Sequence, residues 1–177
     1  HGVAMCCILY SVSGLEVLGV EMDKRAADLC KRNIDLNMFK AKICNINIAN
    51  TIRELKSVSF DHVFMNPPYF KQNSVKESHI LSSHQARVES MPLSAWISVA
   101  KNRCKPNGKI TIIQRVERLP DILKCLDGYF GQVTVQPISS FKDTSPKSVI
   151  VQATKTSRAA FKLLAPKIVH RRDGNSG

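Results

Sequence analysis

The sequence lacks long apolar runs and is poor in acidic residues. No stretch approaches the roughly 18 consecutive apolar residues of a membrane-spanning helix, so we expect no membrane partner. The chain has 177 residues, of which 44% are hydrophobic, and this composition predicts one soluble domain spanning 1–177. Only 14 residues are Asp or Glu, against 26 Lys and Arg, which gives a net charge of +12. This excess indicates a polyanionic partner, although lysine-rich surfaces also serve solubility alone.

The six cysteines form no Cys-x-x-Cys pair and have no pair of histidines nearby. The spacing of a zinc or iron–sulfur site is therefore missing, and we predict that the protein binds no metal. The cysteines are scattered through apolar segments, where they fit small core residues better than a disulfide framework. Because free cysteines persist in reducing compartments, we expect a cytoplasmic protein.

Short apolar runs alternate with helical patterns along the chain. The patterns predict strands over residues 16–23, 41–48, 63–65 and 110–113, and helices over 2–12, 24–37, 51–57, 92–103 and 119–126. The first of these helices has no polar stripe and is predicted to be buried. Two alternating runs, 132–137 and 148–154, predict a closing antiparallel hairpin. This order favours an α/β domain with a mostly parallel, doubly wound, Rossmann-like sheet.

The rest of the chain is arranged around Asn66-Pro67-Pro68-Tyr69, which follows the apolar run ending at Met65. Two prolines remove two backbone donors and fix two φ angles, so the strand must end there. In open α/β sheets, ligands bind at the carboxyl ends of strands. The Asn66 side chain and the Pro67 carbonyl could accept both hydrogens of one amino group while Tyr69 stacks on the ring that carries it. This arrangement predicts methylation of a planar amine, although a plain turn after a core strand would have the same sequence.

Glu21 is the candidate ligand of a nucleotide-like cofactor. It lies near the end of the predicted strand over 16–23, 19 residues after Gly2. This is close to the separation of about 20 residues between a nucleotide-binding glycine loop and the carboxylate that accepts from ribose hydroxyls. A carboxylate that only caps the next helix is the alternative. Asn47, at the end of the predicted strand over 41–48, is placed to reach a bound adenine.

Residues 71–92 are polar and contain few apolar anchors, which predicts a long loop directly after the proposed catalytic turn. Loops of this length inside compact domains are usually binding segments or disordered. Because of their place in the chain, Lys71 and Arg87 are candidate substrate-binding residues, together with Tyr69 and the adjacent aromatic Phe70.

Six segments of the chain can be compared with known families: Gly2-Val-Ala, Gly19-Val-Glu-Met-Asp23, Asn66-Pro-Pro-Tyr-Phe70, Lys105-Pro-Asn-Gly108, Val116-Glu-Arg-Leu-Pro-Asp-Ile-Leu123 and Ala165-Pro-Lys-Ile-Val-His170. Together they resemble the bacterial family of adenine-N6 methyltransferases acting on valine tRNA. Asn-Pro-Pro-Tyr is widely shared among amino-group methyltransferases, whereas the last two segments are more particular to this family.

The resemblance implies a class I methyltransferase sheet with an antiparallel last strand, S-adenosylmethionine as the cofactor and tRNA or another RNA as the partner. Gly2 would belong to the cofactor loop, Glu21 would hold the cofactor ribose and Asn47 would stand near its adenine. Asn66 would border the cofactor, and Asn66, Pro67 and Tyr69 would bind the target base.

Members of the family begin with a strand and a Gly-x-Gly-x-Gly loop, of which this chain retains only Gly2. We therefore expect a chain that is truncated at its N-terminus, without the first strand, and that is weakly active at best. The alternatives are a methyltransferase for a protein glutamine amide and a basic RNA-binding remnant without catalysis. The net charge and Phe70 favour a nucleic-acid substrate over a peptide.

Overall fold

The computed structural model describes residues 2–48, 55–68 and 91–170. The chain divides into two compact units, His1–Lys56 and Ser57–Gly177. The described strands form one sheet in each unit. The predicted helix over 51–57 lies outside the described residues except for 55–57, which form a turn, and the predicted loop over 71–92 lies outside them except for its last two residues.

The described part of the first unit is a parallel strand pair with two helices. Helix α1 is Val3–Ser11 and strand β1 is Val17–Glu21; helix α2 is Lys24–Leu36 and strand β2 is Ala41–Asn45. The two strands pair in parallel register from Val17 opposite Ala41 to Glu21 opposite Asn45. A parallel pair joined through a helix is the β-α-β unit that the alternation of patterns predicted.

Helix α2 begins where the sequence places its cap. The Oδ1 atom of Asp23 accepts a hydrogen bond from the Ala26 amide at 2.7 Å, which satisfies one of the free donors of the first turn. The buried residues are spaced along one side of the helix, as an amphipathic pattern requires: Ala26, Ala27, Cys30 and Ile34. The predicted strand, helix and strand of this unit are confirmed.

Helix α1 is present, but the prediction that it is buried was wrong. None of its residues is buried, and Tyr10 is 85% exposed. The helix packs along one side on α2 and β1, so its other sides remain accessible to water. The apolar pattern therefore predicted the helix correctly, but it did not predict that the helix is partly exposed to water.

The second unit contains a six-stranded mixed sheet. Its strands are β3 Phe60–Met65, β4 Cys104–Arg115, β5 Phe130–Ser139, β6 Ser148–Lys155, and the two-residue strands β7 Lys162–Leu163 and β8 Lys167–Ile168. The order is β3-β4-β6-β5-β7, and β8 also pairs with β5. Strand β6 runs antiparallel to both β4 and β5, whereas β3 and β4 are parallel. The last long strand is therefore antiparallel, as predicted, and the hairpin of β5 and β6 is confirmed.

The core of the second unit lies between this sheet and helices α3 (Leu93–Arg103) and α4 (Leu119–Leu126). Helix α4 begins with Pro120 in its first turn, where a missing backbone donor costs nothing. Removing each large aliphatic side chain from water stabilises the fold by about 1.5–3 kcal/mol. The fully buried ones are Ile110, Ile112, Ile122, Leu126, Val135, Val149 and Val151.

Strand β4 contains the Pro-Asn-Gly sequence of residues 106–108 as an irregularity inside the strand. Phe60 pairs with Cys104, but His62 pairs with Lys109, so the residues between Cys104 and Lys109 bulge out of register. Asn107 has a φ of 60°, and a Cβ on Gly108 would lie 2.9 Å from the Asp61 carbonyl oxygen. The strand is longer than the predicted 110–113 because Cys104 pairs with β3 before the bulge, and Gln114 and Arg115 pair with β6 at the other end.

Lys155, at the end of β6, completes the end of helix α3. Its Nζ atom donates to the carbonyl oxygens of Lys101 at 2.6 Å and Cys104 at 2.7 Å. Carbonyls at a helix C-terminus have no partner within the helix, and a cation there also interacts favourably with the helix dipole. Lys155 is therefore a structural residue of the second unit.

Replacing Lys155 by methionine should lower the free energy of unfolding of the second unit. The variant leaves two carbonyls without their donor, which costs about 1–3 kcal/mol. Trp96 is the only tryptophan of the chain and lies in α3, so its fluorescence during urea unfolding reports this unit. Lys124→Met, at an exposed position of α4, is the matched control and should be nearly neutral; equal losses in both variants would contradict the role of Lys155.

His62 is the residue from which we expect a pH-dependent stability of the second unit. Its Nε2 atom lies 2.8 Å from the Thr111 hydroxyl. The loss of water around the ring lowers the pKa of His62, and the nearby Lys109 ammonium lowers it further. Protonation therefore favours the unfolded chain, in which the histidine has its ordinary pKa.

The free energy of unfolding should consequently fall as the pH drops from about 7.5, through the ordinary histidine pKa, to about 5. His62→Gln, which has no titratable group, should remove this part of the pH dependence. The Lys105 ammonium holds the pKa of the Asp61 carboxyl below its usual range, so the contribution of Asp61 is lost only at much lower pH. A variant with the same profile as the parent between these pH values would contradict the assignment.

Candidate active site

The first unit contains a cavity of about 150 Å³ beside the end of β1. Glu21 lines it, and its Oε1 atom accepts a hydrogen bond from the Asp23 amide at 3.0 Å. This bond fixes the carboxylate through one oxygen, and the second oxygen can accept from a ligand hydroxyl. The lining residues are Gly2, Met5, Gly19, Val20, Glu21, Ala26, Cys30 and Ile43.

Two of the lining residues are glycines at positions with little room for a side chain. Gly2 has a φ of 76°, and a Cβ there would collide with Sγ of Cys30. A Cβ on Gly19 would lie 2.8 Å from Cδ1 of Ile43 and 3.1 Å from Sδ of Met5. Gly2, which was predicted to belong to the cofactor loop, therefore lines the cavity. In this structure, its backbone lies close to Cys30 of helix α2.

Asn45 forms hydrogen bonds at the same end of the sheet and was not among the predicted site residues. Its Nδ2 atom donates to the carbonyl oxygens of Glu21 and Met22, both at 2.9 Å. These bonds join the end of β2 to the segment that carries Glu21. Asn47, which was predicted to stand near the cofactor adenine, has its Nδ2 atom 3.1 Å from Sδ of Met22. Both asparagines thus lie beside the segment that carries Glu21. The position of an asparagine at the end of a parallel strand would have identified Asn45 as well as Asn47.

The second unit presents the Asn-Pro-Pro turn at the end of β3. Met65 and Pro67 are buried, whereas the Asn66 side chain is exposed. Gln114 of β4 lies beneath the turn, and its Nε2 atom donates to the carbonyl oxygens of Pro67 at 3.1 Å and Pro68 at 3.4 Å. The turn is therefore anchored from its buried side. The predicted base-binding residues Tyr69, Phe70, Lys71 and Arg87 lie outside the described residues.

The cysteines of the described residues are free. Burial raises the pKa of the Cys30, Cys104 and Cys125 thiols, which keeps them protonated. In residues 2–48, 55–68 and 91–170, no group of three His, Cys, Asp or Glu side chains is placed to hold a metal ion. Over the same residues, no helix is long and apolar enough to cross a membrane.

Basic and apolar side chains share the exposed segment after β6. Arg158, Lys162 and Lys167 are exposed there, and β7 and β8 attach the segment to β5. The exposed apolar residues of this segment are Phe161, Leu163, Leu164, Ile168 and Val169. Such a surface can contact phosphates and the apolar faces of an unpaired nucleic acid.

The chain is similar to curated proteins that modify tRNA. The tRNA1(Val) (adenine(37)-N6)-methyltransferase of Shewanella halifaxensis is 26% identical over 121 residues, which are 66% of this chain and 48% of that protein. The chain therefore spans about half the length of the curated relatives of this name that it matches.

Solved structures share the fold. A crystal structure described as a "predicted O-methyltransferase" from Agrobacterium tumefaciens has a TM-score of 0.78 and 20% identity, and the match covers 99% of this chain and 79% of that one. The T. thermophilus 16S rRNA N2 G1207 methyltransferase, solved with AdoMet and guanosine, has a TM-score of 0.53 and 19% identity over 80% of this chain and 32% of that one. The fold is that of Rossmann-like class I methyltransferases.

A family model extends the match across both units. The model of the methyltransferase small domain matches residues 1–140, well over half of the chain. The protein belongs to the methyltransferase small domain family.

Proposed function

We propose that the protein transfers a methyl group from S-adenosylmethionine to the exocyclic amino group of an adenine in tRNA. The observation that supports this most directly is the anchored turn at the end of β3. It exposes the Asn66 side chain next to two prolines whose carbonyls are fixed from below by Gln114. An amide oxygen held at such a point can accept a hydrogen bond from a flat amino group.

The residues of the first unit fit part of the cofactor. Glu21 offers a carboxylate oxygen to the ribose hydroxyls, and Gly2 and Gly19 add no side chains to the lining of the cavity. The cavity of about 150 Å³ is smaller than the roughly 300–1,000 Å³ of ordinary small-molecule sites, so it accommodates a portion such as the ribose. When bound, S-adenosylmethionine supplies an electrophilic methyl group.

In the proposed reaction, the protein orients the amine. The Asn66 oxygen accepts one N–H of the target amino group, and the free lone pair of the Pro67 carbonyl accepts the other. Both bonds draw the nitrogen lone pair out of conjugation with the ring and make it available to accept a methyl group; the sulfonium sulfur would leave with the S–C bonding pair, and the amine proton would pass to water. Tyr69 is proposed to stack on the base, with Phe70, Lys71 and Arg87 nearby in the chain contacting the RNA.

The net charge of +12 supports RNA as the substrate. A peptide substrate needs no strongly basic surface, whereas each phosphate contact of an RNA uses one Lys or Arg. The name of the Shewanella relative gives tRNA adenine as that protein's substrate, and this agrees with the proposal. A cytoplasmic location is proposed with it, in agreement with the free cysteines.

Asn66→Ala should reduce methyl transfer by a factor of about 100 or more, because one oriented contact to the reacting group is lost. Affinity for S-adenosylmethionine, measured by calorimetry, should change little, since Glu21, Gly2 and Gly19 are untouched. The assay is transfer of labelled methyl to adenine-containing tRNA in single turnovers.

Asn102→Ala is the matched control, because Asn102 is exposed on α3 and donates to the Ser98 carbonyl within that helix. It should leave methyl transfer unchanged. If Asn66→Ala kept most of the parent turnover, the proposed role of the turn would be wrong.

RNA binding should weaken steeply with salt, and the exposed tail should carry part of this dependence. Each phosphate contact contributes about 0.7 to the slope of log affinity against log salt for a single strand. Lys162→Gln and Lys167→Gln should each reduce the slope by about that amount. Lys124→Gln, which removes the same charge from α4, should not; a flat profile for the parent would favour a peptide substrate.

A further inference from the structure

Gln114 occupies a core position of β4. Its side chain is 1% exposed, and it continues the inward-facing series of Ile110 and Ile112, both of which are fully buried. Burial of an amide is costly unless its polar atoms are hydrogen-bonded. An aliphatic side chain at this position would avoid that cost, so the presence of glutamine requires an explanation.

Both polar side-chain atoms of Gln114 are hydrogen-bonded, and its NH2 group is directed at Pro67 and Pro68. Its Nε2 atom donates to the Pro67 and Pro68 carbonyls, and its Oε1 atom accepts from the Arg115 amide at 2.9 Å. The Arg115 bond fixes the orientation of the amide, so that the NH2 group must face the prolines. Because prolines have no N–H, a strand ladder cannot hold this segment through its nitrogens.

We propose that Gln114 is a positioning residue for the amino-group methylation, a role that rests on the proposed function. It fixes the peptide planes of Pro67 and Pro68, and thereby the direction of the preceding Asn66 side chain and of the remaining Pro67 lone pair. A displacement of about 1 Å in such a contact can reduce a rate by a factor of about 100. The competing explanation is that Gln114 only satisfies buried carbonyls and stabilises the core.

The chain offers a control on another strand of the same sheet. Gln136 of β5 also donates through Nε2 to a proline carbonyl, that of Pro137 at 3.1 Å, and to the Ala165 carbonyl at 2.7 Å. Gln114→Met and Gln136→Met therefore remove the same donor from the same sheet. Only the first removes it from the turn that carries Asn66.

The first measurement does not depend on activity. The side-chain amide signals of Asn66, assigned through their loss in Asn66→Ala, are compared by NMR between the parent and the two methionine variants. Gln114→Met should shift and broaden these signals, whereas Gln136→Met should leave them in place. Unmoved signals in Gln114→Met, or equal shifts in both variants, would overturn the proposal.

The second measurement separates positioning from stability. With saturating S-adenosylmethionine and adenine-containing tRNA, Gln114→Met should lower kcat per folded molecule at least about tenfold and leave the KM for S-adenosylmethionine within about twofold. A kcat kept within about twofold, with a loss of stability in Trp96 fluorescence, would assign Gln114 a structural role only.

Two further outcomes are informative. If Gln114→Met does not fold, exchange of the Gln114 side-chain amide protons in the parent decides: protection from exchange supports the bonds to the prolines, and exchange at the rate of an exposed glutamine overturns them. If the parent methylates no RNA, the proposed function fails, while the shift of the Asn66 signals still decides whether Gln114 positions the turn.

Discussion

The second unit depends on how β3 ends. Two consecutive prolines leave the strand with carbonyl oxygens and no backbone donors, so the pairing of β3 with β4 cannot extend past Met65 through the usual ladder. A side chain of β4 takes over at that point, because Gln114 reaches the two carbonyls from the buried side. The exposed side of the turn is left for Asn66. The division between an anchored face and an open face follows from proline chemistry and one buried amide.

Much of the fold could be predicted because its signals are local. Asp23 caps α2 through the amide three residues away, and Pro120 marks the first turn of α4. The antiparallel β5–β6 pair follows from two alternating runs joined by a short connection. Whether α1 is buried depends on which surfaces lie against it, and composition does not encode this.

Some residues of the candidate site could also be identified from the sequence, and others could not. Glu21 was identified from its separation from Gly2, and both residues line the same cavity. Gln114 could not be found in this way, because its partners lie 46 and 47 positions away in the chain. A glutamine in a strand pattern is ordinarily assigned to the solvent face. The roles of Tyr69, Phe70, Lys71 and Arg87 remain predictions.

Lys155 shows why net charge alone does not define a nucleic-acid surface. It lies at the end of β6, directly before the exposed basic segment, and both of its hydrogen bonds go to carbonyls at the end of α3. An ammonium group held in this way would have to give up two short hydrogen bonds before it could neutralise a phosphate. The proposed contribution of this segment to RNA binding therefore rests on side chains without such partners in the described residues, such as Lys162 and Lys167 on the short strands that pair with β5. Their spacing is set by that pairing, since Lys162 lies opposite Thr134 and Lys167 opposite Ile138, so the edge of the sheet determines where successive phosphates could bind.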